Sequence, residues 1–253
     1  LNVGIMLSIL LKKNLKREYQ LIISISMICG IAAAVLSQAR GVWQVFPVYL
    51  CIGIFYAVKE KRLDARVFAA IVIAIIVLLS ITPVGDLVKQ RTEKAVTEIQ
   101  NYYSDNIYAT SVGGRLAMWD IAIDVWKQHP VLGSGPGDFD DEINALQNKG
   151  KYVGMDVHNS THNIYFQSLA DLGIVGFAAL LFVIVIMPLR LLLYKKYNNE
   201  EGRLVWFIIL ISYAIFGLSE SWILRSPAVA VFLVYVVVVF SHLHITSRES
   251  VNN

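Results

Sequence analysis

Of the 253 residues, 56% are hydrophobic and only 16% are charged, with a mean hydropathy of +0.58. Soluble globular domains carry roughly 25% charged residues, so a water-exposed body of this size could not be clothed, whereas a chain that hides its surface in lipid needs few charges. The same figures exclude intrinsic disorder, a disulfide scaffold and a fibrous repeat, and a net charge of +3 does not point to nucleic acid. In chain order, the first apolar run, Val3 to Leu11, is too short to cross a bilayer about 30 Å thick. It reads as the end of a truncated helix. Lys12, Lys13, Lys16 and Arg17 follow this run, whereas a signal peptide carries its basic stretch in front. The sequence is therefore expected to be the C-terminal fragment of a longer chain.

Six further apolar segments follow: Leu21 to Ser37, Val42 to Val58, Arg66 to Thr82, Leu169 to Leu189, Leu204 to Leu218, and Pro227 to Ser241. The connections at 12–18, 59–66 and 190–203 each hold four Lys or Arg residues, while those at 38–41 and 219–226 each hold one, Arg40 and Arg225. Lys and Arg accumulate in short cytoplasmic loops, so the alternation orients the spans. It divides the chain into a cytoplasmic start (1–20), three spans (21–82), a long extracytoplasmic loop (83–168), three more spans (169–243) and a cytoplasmic tail (244–253).

The long loop has 86 residues, of which 11 are acidic and 7 are Lys or Arg. Within it, Arg115 to Gln128 predicts an amphipathic helix, with Trp119, Ala122, Ile123 and Trp126 at helical spacing and Asp120, Asp124 and Lys127 opposite. The tryptophans suit a membrane interface; packing on the loop's own core is the equal alternative. The stretch from His129 to Phe139, rich in Gly and Pro, must end that helix and turn repeatedly. No Gly-Lys-Ser/Thr follows it, so it is not a nucleotide loop. Cys29 and Cys51 fall inside apolar segments and read as small hydrophobes, and Pro47 and Pro188 as ordinary kinks.

A set of polar residues remains on the extracytoplasmic face. Arg40 stands between two apolar runs, where an arginine is costly unless it reaches headgroups or binds an anion. Arg115 is expected to open the amphipathic helix, where the dipole disfavours a cation unless an anion shares the site with the free N–H groups. His158 and His162 are four apart, a spacing that can chelate a metal from a helix, but no third ligand accompanies them. A single histidine acting as a general base is the better reading, because the side chain titrates near neutrality.

Arg115 followed by Trp119, then Pro130-Val131-Leu132-Gly133-Ser134-Gly135 and Phe139, then His162-Asn163-Ile164-Tyr165 and Leu172-Gly173-Ile174-Val175-Gly176, with Arg40 at the end of an earlier span, resembles the O-antigen ligase and polymerase superfamily. The resemblance covers about 37–176. It implies an all-α polytopic membrane protein, a bundle of transmembrane helices with a large helical periplasmic loop, in the bacterial inner membrane with its site on the periplasmic face. It also implies transfer of a glycan from an undecaprenyl-pyrophosphate carrier to a hydroxyl acceptor by an inverting route, with no cofactor, metal or nucleotide sugar. Carried over by position, Arg40 and Arg115 hold the pyrophosphate and His162 is the base, with Asn163, Tyr165 and Glu220 as further substrate-binding groups. A guanidinium balances developing phosphate charge bidentately without titrating. Glu220 has the simpler alternative of pairing with Arg225.

Within the superfamily, the compact Arg115-to-His162 arrangement favours the ligase, which joins O-antigen polysaccharide to the lipid A-core in lipopolysaccharide biosynthesis. Partners on that reading are the undecaprenyl-pyrophosphate-linked donor, the lipid A-core acceptor and membrane lipid. An O-antigen polymerase or a protein O-oligosaccharyltransferase is the alternative within the superfamily, and an anion or lipid transporter the alternative outside it. Against the transporter, no apolar run holds an ionisable residue well inside it.

Overall fold

In the computed structural model the described residues are 16–36, 44–59, 83–105, 107–153, 155, 160–187, 189–190, 200–224, 227–237 and 241. Among them every regular element is helical: α1 (Arg17–Leu36), α2 (Phe46–Lys59), α3 (Pro83–Asp105), α4 (Ser111–Gln128), α5 (Phe139–Asn148), α6 (Ile164–Leu181), α7 (Glu200–Phe216) and α8 (Pro227–Val237). The expected span over 66–82, the first apolar run and Pro188 lie outside the described residues. Two compact units divide the chain, one drawn from residues 60–177 and the other from 1–59 and 178–253.

The unit within 60–177 is built on α4. Ala117, Met118, Ile121, Ala122 and Val125 recur at helical spacing and are buried. This stripe meets Tyr102 of α3, Phe139, Ile143 and Leu146 of α5, Met155, and Ala170 of α6 in one apolar cluster. Burying an Ile, Val or Phe side chain is worth roughly 1.5–3 kcal/mol, so the cluster is what holds α3, α5 and α6 to α4. The expected stripe through Trp119, Ile123 and Trp126 is displaced by about one residue from the buried one: those three side chains are half-buried at the edge, and only Ala122 is common to both. The long loop, expected to be helical, also contains α3 and α5 beside the one helix whose position the sequence marks. Helix α5 follows naturally from its sequence, since Asp140, Asp141 and Glu142 crowd its first turn, where the helix dipole favours anions.

Helix α4 begins at Ser111, four residues before Arg115. Thr110 is its N-cap, with its hydroxyl accepting the Gly113 N–H at 3.0 Å, and the Glu98 carboxylate accepts the Val112 N–H at 2.9 Å. The Gly113-Gly114 pair therefore lies inside the helix rather than in front of it. A Cβ at Gly113 would stand 2.6 Å from the Ile107 carbonyl oxygen, so the close approach of the chain before α4 requires glycine there.

Helix α6 is interrupted. Gly173 takes φ 62 and ψ −162 inside it, a conformation open to glycine and closed to most L-residues. Breaking a helix orphans the carbonyls before the break and the N–H groups after it. The loop after α4 supplies two partners on each side. Ser134 N–H donates to Ala170 O and Gly135 N–H to Asp171 O, each at 3.0 Å, while Ile174 N–H donates to Pro130 O at 3.0 Å and Val175 N–H to Val131 O at 3.3 Å. In an unbroken helix Ile174 and Val175 would have bonded to those same two carbonyls, Ala170 and Asp171. The expected span at 169–189 thus overlaps a helical run, Ile164–Ile186, that starts five residues earlier and closes with a π turn over Phe182–Ile186. By length and composition this run suffices to cross a membrane, the one such helix among the described residues.

In the second unit, Val45, Tyr49, Leu204 and Ile208 form a core flanked by Met27, Phe46, Ile52, Ile215 and Phe216. The Tyr49 hydroxyl and Ser212 Oγ share a buried hydrogen bond of 2.6 Å. Tyr213, Trp222 and Phe232 pack ring against ring, and the Trp222 indole N–H donates to Tyr213 O at 3.1 Å. Pro47 sits in the first turn of α2, where its missing N–H breaks no helical bond, so it introduces no kink. Cys29 and Cys51 are free thiols.

The close packing of Gly133 on α6 gives a direct test. Its φ is +75, and an added Cβ would lie 2.3–2.4 Å from the Asp171 carbonyl and the Leu172 nitrogen. Gly137, with φ +94, has nothing within 4 Å of such a Cβ. Gly133→Ala is expected to lower stability by roughly 2–4 kcal/mol, and Gly137→Ala by only about 1 kcal/mol from backbone strain. Thermal unfolding in nanodiscs measures both; equal losses would show that the loop does not press on the helix break.

Candidate functional site

The turn Ser160–Asn163 precedes α6 and holds His162 in a left-handed conformation, φ 51. Such a φ is uncommon for a residue other than glycine and persists only where the surroundings fix it. Those surroundings converge on Thr161, which is fully buried. Its N–H donates to Gln167 Oε1 at 2.8 Å, its carbonyl accepts the Trp119 indole N–H at 3.1 Å, and its hydroxyl donates to Asn163 O at 2.7 Å. The His162 N–H in turn donates to Ser160 Oγ at 3.2 Å. With both backbone groups of Thr161 held by side chains from α4 and α6, the half-buried imidazole leaves from a rigid backbone.

Two further interactions stiffen the supports. Trp119 stacks on Phe166 with ring centroids 5.3 Å apart and planes 13° from parallel. Gln167 is itself buried and donates from Nε2 to both carboxylate oxygens of Asp171, each at 3.0 Å. Asp171 also supplies the carbonyl that receives Gly135 N–H. The histidine turn and the helix break are therefore joined through one Gln167–Asp171 link, one helical turn long.

Asn163, expected to bind substrate, is buried and supports the fold. Its Oδ1 accepts the N–H groups of Tyr165 at 2.9 Å and Phe166 at 3.3 Å, capping α6. Tyr165 is half-buried in the first turn of α6. Arg115 lies in the second turn of α4 and half-buried, so it does not open the helix as expected. The N–H groups at that terminus are already engaged by Thr110 and Glu98, which removes the anticipated convergence of free amides with the guanidinium. Arg115 precedes Trp119 by four residues, on the same face of α4. Among the described residues its guanidinium makes no ion pair or hydrogen bond. Arg115 and His162 thus belong to one unit and are linked by a single turn of α4 and the Trp119–Thr161 bond.

Arg40 and His158 lie outside the described residues, so neither the arginine pair nor the histidine pair is placed. Glu220 is half-buried in the turn after α7, in the other unit, where its N–H donates to Phe216 O at 2.9 Å. The positioning roles of Gln167, Asp171 and Asn163 are not visible in the sequence. The one available signal is Asn163 itself, a favoured capping residue directly before an apolar run.

A family model described as O-antigen ligase matches residues 25–181. A protein of Haemophilus influenzae, described only as uncharacterized, is 29% identical over 222 residues, which is 84% of this chain and 55% of the relative. The chain spans about half the length of this curated relative.

Trp119→Phe keeps the stack on Phe166 and deletes the N–H that holds Thr161. The expected cost is about 1 kcal/mol for a part-buried hydrogen bond, read by thermal unfolding, with Trp119→Ala costing more through loss of the ring. A Trp119→Phe variant as stable as the parent would mean that the indole bond does not secure the turn.

Proposed function

The chain belongs to the O-antigen ligase family, and from that membership we propose that it transfers O-antigen polysaccharide from undecaprenyl pyrophosphate to a hydroxyl of the lipid A-core. The family is membrane-embedded and its members are glycosyltransferase-like enzymes. The observation that carries the reading is the left-handed His162, fixed through Thr161 by Trp119 and Gln167, in the same unit as an Arg115 guanidinium that has no charge partner among the described residues.

In the proposed reaction, neutral His162 accepts the proton of the acceptor hydroxyl as its oxygen attacks the anomeric carbon of the donor sugar. The glycosidic bond to pyrophosphate breaks on the opposite face, which inverts the configuration. Arg115, with Arg40, balances the charge that develops on the departing pyrophosphate, and does so in a setting where a fixed cation needs no reorganisation. Tyr165 and Glu220 are hydrogen-bonding groups for the glycan, and Asn163 acts by holding the start of α6. The site faces the periplasm at the edge of the inner membrane, where the polyprenyl tail stays in lipid while the sugar reaches water. The buried supports around Thr161 favour a histidine used for chemistry over one that merely lines a passage, since a rotating imidazole would serve a transport path equally well.

The test is made in the full-length protein, in cells deleted for the gene. His162→Ala and Arg115→Ala are each expected to reduce attachment of O-antigen to core by at least roughly 100-fold, the scale of a lost general base or charge stabiliser, while undecaprenyl-linked polymer accumulates. Normal attachment in a well-expressed His162→Ala variant would contradict the base assignment. Core capped with a single repeat unit after gene loss would make the protein a polymerase, and anion movement across liposomes without glycan transfer would make it a transporter.

A further inference from the structure

The loop that repairs the helix break also carries an apolar tip. Val131 is 57% exposed and Leu132 73%, and they precede a polar, small-residue run of Ser134, Gly135, Pro136, Gly137 and Asp138. The polarity of the loop therefore switches at Gly133, within one residue. On the helix side, Ile174 and Val175 directly follow the break and are also exposed, 47% and 54%. The backbones of these two pairs are joined: Ile174 N–H reaches Pro130 O, Val175 N–H reaches Val131 O, and the Val131 carbonyl lies 2.4 Å from where a Cβ on Gly173 would be. Four exposed aliphatic side chains thus surround one junction, more than a turn on a water-facing surface ordinarily presents.

The rest of α6 says what covers them. Beyond Ile174 and Val175 the same helix continues through exposed Phe182, Val183, Val185 and Ile186, in the run that is long and apolar enough to cross a membrane. At the base of the tip, the half-buried Trp126 donates its indole N–H to Pro130 O at 3.2 Å, a tryptophan of the kind that settles at headgroup level with one side apolar and the other wet. We propose that Val131 and Leu132 insert into the acyl region of the bilayer beside Ile174 and Val175, so that the loop tip and the broken helix enter the membrane together and Gly133 marks the depth at which lipid gives way to headgroups. Backbone that leaves the helical pattern at membrane depth is tolerated only where its polar groups are satisfied, and the bonds between the loop and the break satisfy the carbonyls of Pro130 and Val131 and the N–H groups of Ile174 and Val175. The contact is independent of which glycan the chain transfers.

Spin labelling in proteoliposomes of phosphatidylethanolamine and phosphatidylglycerol tests this. With Cys29 and Cys51 replaced by alanine, a nitroxide is placed singly at Val131→Cys, Leu132→Cys and, as an aqueous reference, Asn148→Cys on the exposed end of α5. Because Val131, Leu132 and Asn148 are exposed, none of the labels enters a packed interior. Collision with membrane-soluble oxygen is expected to exceed collision with a water-soluble nickel chelate at Val131→Cys and Leu132→Cys, and the order is expected to reverse at Asn148→Cys. Nickel accessibility at both tip positions equal to that at Asn148→Cys would overturn the proposal. So would tip labels that face water in lipid alone and become shielded only on adding a polyprenyl phosphate, because the surface would then be a carrier site and not a bilayer contact.

Discussion

The rest of the unit within 60–177 depends on the exchange of backbone hydrogen bonds between the Pro130–Gly135 loop and the break at Gly173. A helix interrupted in its middle leaves donors and acceptors without partners, and an unpaired backbone group away from water costs about as much as a lost hydrogen bond. Here two loop N–H groups take the carbonyls of Ala170 and Asp171, and two loop carbonyls take the N–H groups of Ile174 and Val175. The exchange requires two backbones in contact. Added Cβ atoms would collide with the facing backbone at both Gly133 and Gly173, and both residues have positive φ. Glycine is needed at these two positions for space and for conformation together.

This junction positions the candidate site through a short chain of side chains. Asp171, whose carbonyl receives the loop, presents its carboxylate to Gln167; Gln167 holds the N–H of Thr161; and Trp119 of α4 holds the Thr161 carbonyl. His162 then has little freedom to leave its left-handed conformation. The apolar cluster beneath, from Tyr102 to Ala170, fixes α4 and α6 against each other, so that the indole and the turn meet. Trp126, about two helical turns further along α4, does for Pro130 what Trp119 does for Thr161. The two tryptophans pin the two ends of the loop system to the same helix.

Much of this is legible in the sequence, and the remainder is hidden for identifiable reasons. The apolar runs at 21–37, 42–58, 204–218 and 227–241 correspond to α1, α2, α7 and α8 to within a few residues, because hydrophobic runs report helices directly. The repeated turns after His129 are readable from Gly and Pro. The start of α4 is obscured because Gly113-Gly114 reads as a breaker, whereas Thr110 and Glu98 cap a helix that runs through both glycines. Helix α3 escapes because it lies between the apolar runs and has no apolar run of its own. The break at Gly173 has no local signal: a lone glycine in an apolar run is tolerated in a continuous helix, and the residues that stabilise the break lie some forty positions earlier. Arg115, Trp119 and His162 are all picked out by resemblance, but the bond that connects them, from the indole to Thr161, is a tertiary feature.

The most direct test of the central claim, that loop and broken helix form one hydrogen-bonded unit, is residue-resolved amide hydrogen exchange on the protein in nanodiscs. The amides of Ser134, Gly135, Ile174 and Val175 are expected to be protected and to open together, slowing and accelerating as one group when stability is varied. Rapid exchange at Ser134 and Gly135 while Ile174 and Val175 stay protected would contradict it, since the helix would then be satisfying its own backbone without the loop.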